Sequence, residues 1–266
     1  MNAVEKYDSR AKAINSLVCV GLDSDIDKLP SAFRSGESPQ LAFNRGIIDA
    51  TAKFAAAFKF NMAFYEVNGA DGWRQLAQSL EYLRQRHPAI LTISDAKRSD
   101  IGNTSAAYAR AIFGELGFDA VTLNPYLGRD ALQPFLDHKD KACIILCRTS
   151  NPGSADIQNL DAGGRPLWRI VADKVQSEWN TQGNCMMVAS GTNPAELAQI
   201  RAIAGDMTLL VPGIGAQGGD LEAVLSAGLN SAGRGLIINS SRGIIFAADP
   251  AAAAADLRRA INAQRS

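Results

Sequence analysis

The sequence contains few of the residues from which metal sites and histidine-based catalysts are built. It has only two histidines in 266 residues, His87 and His138. They stand far apart in the chain, each in polar surroundings typical of a helix end. Histidine metal ligands usually occur in closely spaced groups with further cysteine or carboxylate partners. We therefore expect neither a histidine-based metal site nor a histidine-based catalytic triad, and no metal ion is predicted.

Cysteine is also scarce, and its spacing is unsuited to metal or redox chemistry. The chain has four cysteines, none paired as C-x-x-C: Cys19, Cys143, Cys147 and Cys185. Three of them, Cys19, Cys143 and Cys185, fall among apolar residues of the kind found in strands. Free cysteine behaves as a small buried hydrophobe. The pattern therefore predicts reduced cysteines inside the core.

Neither an excess of one charge nor a long apolar run is present. Lysine plus arginine number 27, and so do aspartate plus glutamate, so nothing indicates binding to nucleic acid or to a membrane surface. No stretch approaches the roughly 18 apolar residues of a membrane span. The beginning of the chain is charged every few residues, unlike a signal peptide. We expect a soluble cytoplasmic protein that binds a small molecule.

What the sequence does contain is a regular alternation of strand-like and helix-like segments. The predicted strands are Leu17–Asp23, Ala56–Phe60, Ile90–Asp95, Ala120–Asn124, Cys143–Arg148, Met186–Ser190, Thr208–Pro212 and Gly235–Asn239. The predicted helices are Ser38–Lys53, Gly72–Arg86, Thr104–Leu116, Ala131–Leu136, Pro166–Gln182, Pro194–Ile203, Asp220–Ala227 and Pro250–Ala263.

Eight such repeats without a break in composition are typical of an α/β protein with a (β/α)8 TIM barrel, here one domain over residues 1–266. A doubly wound sheet is the alternative, but its G-x-G-x-x-G turn is missing after the first strand. Two long loops, Ser24–Glu37 and Asn151–Arg165, follow strand carboxyl ends, where barrel enzymes place their chemistry. We interpret the second as a lid.

Charged residues follow three neighbouring strands where each strand ends. Asp95 and Lys97 lie two residues apart at the end of strand 3, so their side chains point to one side, and Asp100 follows in the turn. Lys59 ends strand 2, and Asp23 ends strand 1. Each alone is compatible with a surface ion pair, a snorkelling lysine or a helix cap. Together they predict an alternating charge array on one rim of the barrel.

The opposite part of the rim has the composition of a phosphate site. The segment from Pro212 to Asp220 carries four glycines after strand 7, and glycine lets backbone N–H groups approach an oxyanion. Arg242 follows strand 8, beside Gly243. Loops after strands 7 and 8 form the usual phosphate site of barrel enzymes. We therefore expect the substrate to carry a phosphate group.

At this point the chain resembles the orotidine 5′-phosphate decarboxylases, specifically the longer bacterial type (type 2). The similarity runs in order along the whole chain and includes the D-x-K-x-x-D-I signature. The residues that carry it are Asp95, Lys97, Asp100, Ile101, Thr104, Asp23, Lys59, Ser150, Pro212, Gln217 and Arg242. Two departures, Ser241 before the arginine and Asn151 in the Ser-Asn-Pro-Gly loop, belong to the longer type.

The resemblance implies a cofactor-independent enzyme that converts orotidine 5′-phosphate to UMP, the last step of pyrimidine nucleotide synthesis. It implies catalysis by Lys97, Asp95, Asp100 and Lys59, with Lys97 protonating C6 of the pyrimidine. It assigns substrate contacts to the remaining residues: Asp23, Ile101, Thr104, Ser150, Pro212, Gln217 and Arg242. It further implies a homodimer in which Asp100, Ile101 and Thr104 reach into the partner's site.

Two alternatives remain open at this point. Sugar-phosphate enzymes of the same barrel, such as hexulose-phosphate synthase, share the D-x-K-x-x-D pattern but use Mg²⁺, with a glutamate where this chain has Lys59. A cation at that position disfavours a divalent metal site. The other alternative is a catalytically silent barrel that binds a nucleotide, and a broken charge array would indicate it.

Overall fold

The structure, a computed structural model, describes residues 1–213 and 220–265. Eight parallel strands pair in chain order, and the last pairs with the first to close a barrel. The strands are β1 Val18–Gly21, β2 Ala57–Asn61, β3 Leu91–Arg98, β4 Ala120–Leu123, β5 Ala142–Leu146, β6 Cys185–Val188, β7 Leu209–Pro212 and β8 Leu236–Ser240. The predicted (β/α)8 fold is confirmed.

The helices surround this barrel, and most of them link successive strands. They are α1 Ala3–Ala13, α2 Ser31–Arg34, α3 Pro39–Thr51, α4 Ala63–Glu66, α5 Gly69–Arg86, α6 Gly102–Ala109, α7 Arg129–Leu136, α8 Ala155–Gln158, α9 Leu167–Lys174, α10 Pro194–Ala204, α11 Leu221–Gly228, α12 Arg242–Ile245 and α13 Pro250–Ala263. Helices α6 and α9 continue as π-helical turns over Arg110–Glu115 and Val175–Trp179.

All eight predicted strands are present, with ends displaced by a few residues. Strand β1 ends at Gly21, so Asp23 lies in the turn beyond it and not within the strand. Strand β3 continues past Asp95 to Arg98, because Arg98 pairs again with Leu123 after an irregularity in the ladder. The strand ends were predicted from where the apolar residues stop, and that pattern does not reveal a register shift between β3 and β4.

Helix α1 was not predicted. Its N-terminus carries a capping box, in which the Asn2 side chain accepts from the Glu5 N–H and the Glu5 carboxylate accepts from the Asn2 N–H. Its buried residues, Ala3, Tyr7 and Ala11, are spaced four apart on one face. The frequent charges of this segment therefore belong to the exposed face of an amphipathic helix.

The barrel interior takes alternate residues of each strand. In β2 this alternation separates two sets of residues. Phe58 and Phe60 are fully buried on the face outside the barrel, where the Phe60 ring contacts those of Tyr65 and Phe118. Lys59 lies between them in sequence, so its side chain points to the opposite face of the strand, into the barrel. Only 4% of Lys59 is exposed. An interior lysine at this depth requires anionic partners.

The four cysteines are free and buried, as predicted. Burial raises the pKa of the thiols of Cys19, Cys147 and Cys185 to about 12. At neutral pH these groups are therefore neutral parts of the core. Within the described residues, no helix combines the length and the apolar character that a membrane crossing requires.

Candidate active site

A cavity of about 530 Å³ opens at the carboxyl ends of the strands. Many of the residues predicted from the sequence line it: Asp23, Lys59, Asp95, Lys97, Ser150, Pro212 and Arg242. They come from strands and loops that lie far apart in the chain but meet at one rim. The structure thus brings the predicted charge array and the predicted phosphate arginine into a single cavity.

Asp95 is the centre of the charge array. Its Oδ2 accepts a hydrogen bond from Lys59 Nζ at 3.0 Å, and its Oδ1 accepts one from Lys97 Nζ at 2.6 Å. Lys59 also lies 3.5 Å from Asp23 Oδ1. The two cations therefore share one carboxylate, and Asp23 and Lys97 lie at the ends of the array.

Burial and charge act in opposite directions on the central pair. Burial alone would lower the pKa of Lys59, but the carboxylates of Asp95 and Asp23 outweigh it and raise that pKa above its usual value. Burial alone would raise the pKa of Asp95, but Lys59 and Lys97 hold it well below its usual range. Both groups are therefore charged at neutral pH, which fixes the electrostatic field of the cavity before any substrate binds.

The two lysines differ in exposure. The Lys59 side chain is 5% exposed, whereas the Lys97 side chain is 50% exposed and faces the open cavity. Lys59 is thus held in place by its surroundings, while Lys97 Nζ is accessible to a bound molecule. Lys97 also has a backbone φ of 50°, a left-handed conformation that is uncommon for a residue other than glycine.

A buried hydrogen-bond network fixes the turn that carries Asp23. The Tyr65 hydroxyl donates to the carbonyl of Leu22 at 2.8 Å, and it accepts from Asn44 Nδ2 at 3.0 Å. The side-chain amide of Gln40 donates to the carbonyl of Ser24 at 2.8 Å. The carbonyls on both sides of Asp23 are therefore held by side chains from α3 and α4. These hydrogen bonds hold the backbone around Asp23 in place, although β1 ends two residues before it.

Beside this turn, a close approach between the end of β1 and the residue after β8 places Arg242. Ser241 Oγ donates to the carbonyl of Gly21 at 3.0 Å. A Cβ atom added to Gly21 would lie only 2.8 Å from Ser241 Cβ, so this contact requires glycine. Arg242 follows at once as the first residue of α12. Glycine in β1 thus permits the backbone path that brings the arginine to the cavity.

A buried ion pair holds the loop after β5 over the cavity. Arg148 Nε lies 2.7 Å from Glu196 Oε2 of α10, and Arg148 Nη1 donates to Gln158 Oε1 at 3.1 Å. Gln158 Oε1 also accepts from the Thr149 N–H at 2.9 Å. The predicted lid, Asn151–Arg165, therefore contains α8 and is anchored to α10, and Ser150 before it and Gln158 within it line the cavity.

Three of the predicted site residues that the structure describes do not line this cavity, and a fourth cannot be compared. Gln217 lies outside the described residues. Asp100, Ile101 and Thr104 are absent from the cavity lining, and Ile101 is 63% exposed. Asp100 Oδ1 accepts from the Ile101 N–H at 2.8 Å, whereas the Lys97 ammonium is hydrogen-bonded to Asp95. The resemblance assigns Asp100 to the site of a partner chain, and that assignment stays a prediction.

Several cavity residues were not singled out in the sequence. They are Asn61, Thr122, Leu146, Thr149, Gln158, Val188, Leu210, Asn239 and Ser240. Asn61 lies two residues after Lys59 in β2, and Thr122 and Asn239 are polar residues inside apolar strands, so strand periodicity could have identified these three. Gln158 reaches the cavity through a folded loop, and no local pattern indicates it.

The chain is similar to known proteins over its whole length. Residues 16–257 match the family described as orotidine 5′-phosphate decarboxylase / HUMPS. A protein from Janthinobacterium sp. named orotidine 5′-phosphate decarboxylase is 47% identical, with 93% of this chain and 90% of that protein covered. One of the same name from Ralstonia pickettii is 45% identical, with 100% and 97% covered.

A solved structure, described as that of Leishmania donovani OMP decarboxylase, superimposes with a TM-score of 0.90 at 42% identity and covers 100% of this chain and 99% of that one. The match in fold and the match in sequence thus lead to the same group of enzymes. The resemblance to the orotidine 5′-phosphate decarboxylases is confirmed, and the assignment to type 2 stays a prediction. The chain belongs to the orotidine 5′-phosphate decarboxylase / HUMPS family.

Proposed function

We propose that this chain catalyses the cofactor-independent decarboxylation of orotidine 5′-phosphate to UMP and CO2, as a cytoplasmic enzyme of pyrimidine nucleotide synthesis. The observation that carries the proposal is the placement of Lys97 Nζ, 2.6 Å from the Asp95 carboxylate, in one cavity with Lys59 and Arg242. The names of the relatives at 45% to 47% identity support the same substrate.

The chemistry requires a cation and a proton at one carbon atom. When the bond between C6 and the carboxylate breaks, its electron pair remains on C6, with no adjacent carbonyl to delocalise it. The Lys97 ammonium stabilises this charge and then transfers a proton to C6, which completes UMP. The neutral amine is reprotonated by solvent, because half of the side chain is exposed.

Asp95 has two roles in this proposal. It orients the ammonium of Lys97, and Lys59 keeps it ionised through the contact at its other oxygen. In the substrate complex its negative charge faces the substrate carboxylate, and this repulsion disappears as CO2 leaves. We rank the fixed field of the two lysines above this repulsion as the source of the rate enhancement.

Binding of the phosphate supports the reaction from a distance. Arg242, Pro212 at the end of β7 and Gly213 after it line the cavity, and β7 lies opposite β3, the strand of Asp95, in the eight-stranded barrel. We assign them, together with Gln217, to the phosphate group, and Asp23 and Ser150 to the ribose and the pyrimidine. Binding energy from a remote group of this kind can stabilise a closed, water-excluding state.

We further propose that the active form is a homodimer. Asp100, Ile101 and Thr104 lie outside the cavity of their own chain, and the large apolar side chain of Ile101 is 63% exposed. Other exposed apolar side chains lie near the same rim, such as Tyr126 at 79% and Val67 at 79%. Burying these groups against a second copy would bring Asp100 to the partner's Lys97 and complete the carboxylate pair around the ammonium.

An ultraviolet assay tests the proposed reaction. We expect the purified protein to convert orotidine 5′-phosphate to UMP in the presence of EDTA and without added cofactor. Lys97→Ala is expected to abolish turnover and to retain UMP binding and thermal stability, because an exposed lysine contributes about 0–1 kcal/mol to folding. A requirement for Mg²⁺, or substantial turnover by Lys97→Ala, would contradict the proposal.

A further inference from the structure

The ladder between β3 and β4 is irregular at the charge array. Ser94 pairs with Val121, and the next pair is Arg98 with Leu123. The chain therefore advances from residue 94 to 98 on β3 but only from 121 to 123 on β4. Asp95, Ala96 and Lys97 form a bulge opposite a single residue of β4, Thr122. Such bulges redirect side chains and leave backbone groups without their usual strand partners.

Thr122 fills the gap that this bulge leaves. Its Oγ1 accepts a hydrogen bond from the Lys97 backbone N–H at 2.9 Å. The same hydroxyl donates to Asp95 Oδ1 at 3.0 Å, the oxygen that also accepts from Lys97 Nζ. Thr122 is 1% exposed and lines the cavity. One buried hydroxyl thus connects the backbone of one catalytic residue to the carboxylate of another.

We propose that Thr122 is a positioning residue for the decarboxylation, which holds Asp95 and Lys97 in the geometry that proton transfer to carbon requires. This inference rests on the proposed function and adds a residue from a strand that contributes none of the charged groups.

The backbone of Lys97 explains why such a residue is needed. Its φ of 50° is unfavourable for a residue with a side chain, so the conformation persists only where other contacts hold it. The bond from the Lys97 N–H to Thr122 is one such contact. Without it, the backbone can relax toward regular strand pairing. Because the direction of a side chain follows from its backbone conformation, that relaxation would shift the Lys97 ammonium relative to the Asp95 carboxylate.

The chain contains a matched control at the other end of the same strand pair. Thr92 of β3 is also 1% exposed, and its Oγ1 donates to Asp119 Oδ2 at 2.8 Å. It also accepts from the Asp119 backbone N–H at 3.0 Å. Thr92 and Thr122 are therefore equivalent in burial and in the kinds of group that they bridge. Thr92 lies near the beginning of its strand and does not line the cavity, and both of its partners belong to one residue, Asp119.

The experiment compares wild type with Thr122→Val, Thr122→Ser and Thr92→Val. Valine keeps the shape and removes the hydroxyl, whereas serine keeps the hydroxyl. We expect Thr122→Val to lower kcat by about 10- to 100-fold, the effect of losing a hydrogen bond to a charged group. The affinity for UMP should change by less than about threefold, because UMP has no carboxylate to face Asp95.

Thr122→Ser should remain within about threefold of the wild-type kcat, and Thr92→Val should lower thermal stability without lowering kcat. The proposal for Thr122 is overturned if Thr122→Val keeps the wild-type kcat, if the serine variant is as slow as the valine variant, or if Thr92→Val is equally slow. Failure of the proposed function would look different, since wild type and all three variants would then leave orotidine 5′-phosphate unchanged.

Discussion

Lys59 Nζ lies 3.0 Å from Asp95 Oδ2 in an ion pair whose side chains are only 5% and 12% exposed. Removing two charges from water costs several kcal/mol per ion, and their attraction only roughly balances that cost. A pair of this kind is therefore weak support for the fold. Its position in the cavity, beside Lys97, fits the proposed catalytic role, in which the pair acts through the electric field that it creates.

The first prediction separates the effect of this ion pair on folding from its effect on catalysis. Lys59→Met leaves the buried Asp95 with one ammonium, so we expect a loss of about 3 kcal/mol in the free energy of unfolding together with a loss of turnover. The double variant Lys59→Met, Asp95→Leu removes both charges and should recover most of that stability while remaining inactive. Chemical denaturation and the ultraviolet assay measure the two effects. Recovery of turnover in the double variant would contradict a catalytic role for the pair.

The second prediction concerns stability at alkaline pH. Burial raises the pKa of Cys185 to about 12, whereas a thiol in the unfolded chain titrates near 8.5. Between these values the unfolded chain loses a proton that the folded chain keeps, so stability declines as pH rises from about 8.5. We expect wild type to lose about 1.5 kcal/mol more than Cys185→Ala between pH 8.5 and 10.

Urea denaturation of both proteins in the presence of a reductant measures this difference. The comparison of the two pH slopes removes the contributions of the other cysteines. Parallel slopes for wild type and Cys185→Ala would show that the thiol ionises as readily in the folded protein as in the unfolded chain.

The third prediction tests the phosphate end of the cavity. Loss of a lone surface ion pair costs at most about 1 kcal/mol, which corresponds to about a fivefold change in kcat/KM. We expect Arg242→Ala to lower kcat/KM for orotidine 5′-phosphate by far more than that. Arg259→Ala provides the control, because Arg259 is an exposed arginine paired with Asp256 in α13. With orotidine, which lacks the phosphate, Arg242→Ala and wild type should be equally slow. A loss on both substrates would place Arg242 elsewhere in the mechanism.

The sequence predicted the barrel and the charge array because both depend on simple periodicities. Strand-helix alternation identified all eight strands, and the spacing of two between Asp95 and Lys97 identified side chains on one side of a strand end. Parallel strands in chain order place residues such as Lys59 next to that end. These inferences require only the direction of each strand and the order of the strands.

The missed residues depend on features that no local pattern reveals. Thr122 contributes because a bulge in β3 leaves a gap opposite it, and the bulge becomes visible only in the pairing of the two strands. Gln158 is brought to the cavity by the ion pair between Arg148 and Glu196, which joins two separate loop–helix units. In the proposed dimer, the role of Asp100 depends on a partner chain, which a single sequence cannot describe.

The last prediction tests the shared site by combining two inactive chains. In the proposed dimer, one site takes Lys97 from one subunit and Asp100 from the other. Lys97→Ala and Asp100→Asn should each be inactive as homodimers. A hybrid dimer has one site with both defects and one site with neither. Co-expression with two different affinity tags and sequential purification isolates this hybrid, which should have about half of the wild-type activity per dimer.

A second hybrid serves as the control, because complementation depends on which chain supplies each residue. When Lys97→Ala is paired with Asp95→Asn, both defects lie in the part of the site that each chain builds for itself, since Asp95 Oδ1 accepts from Lys97 Nζ of the same chain. Both sites of that dimer are damaged, so no activity should return. An inactive Lys97→Ala and Asp100→Asn hybrid would show that Asp100 acts within its own chain, and that the active site does not require the partner.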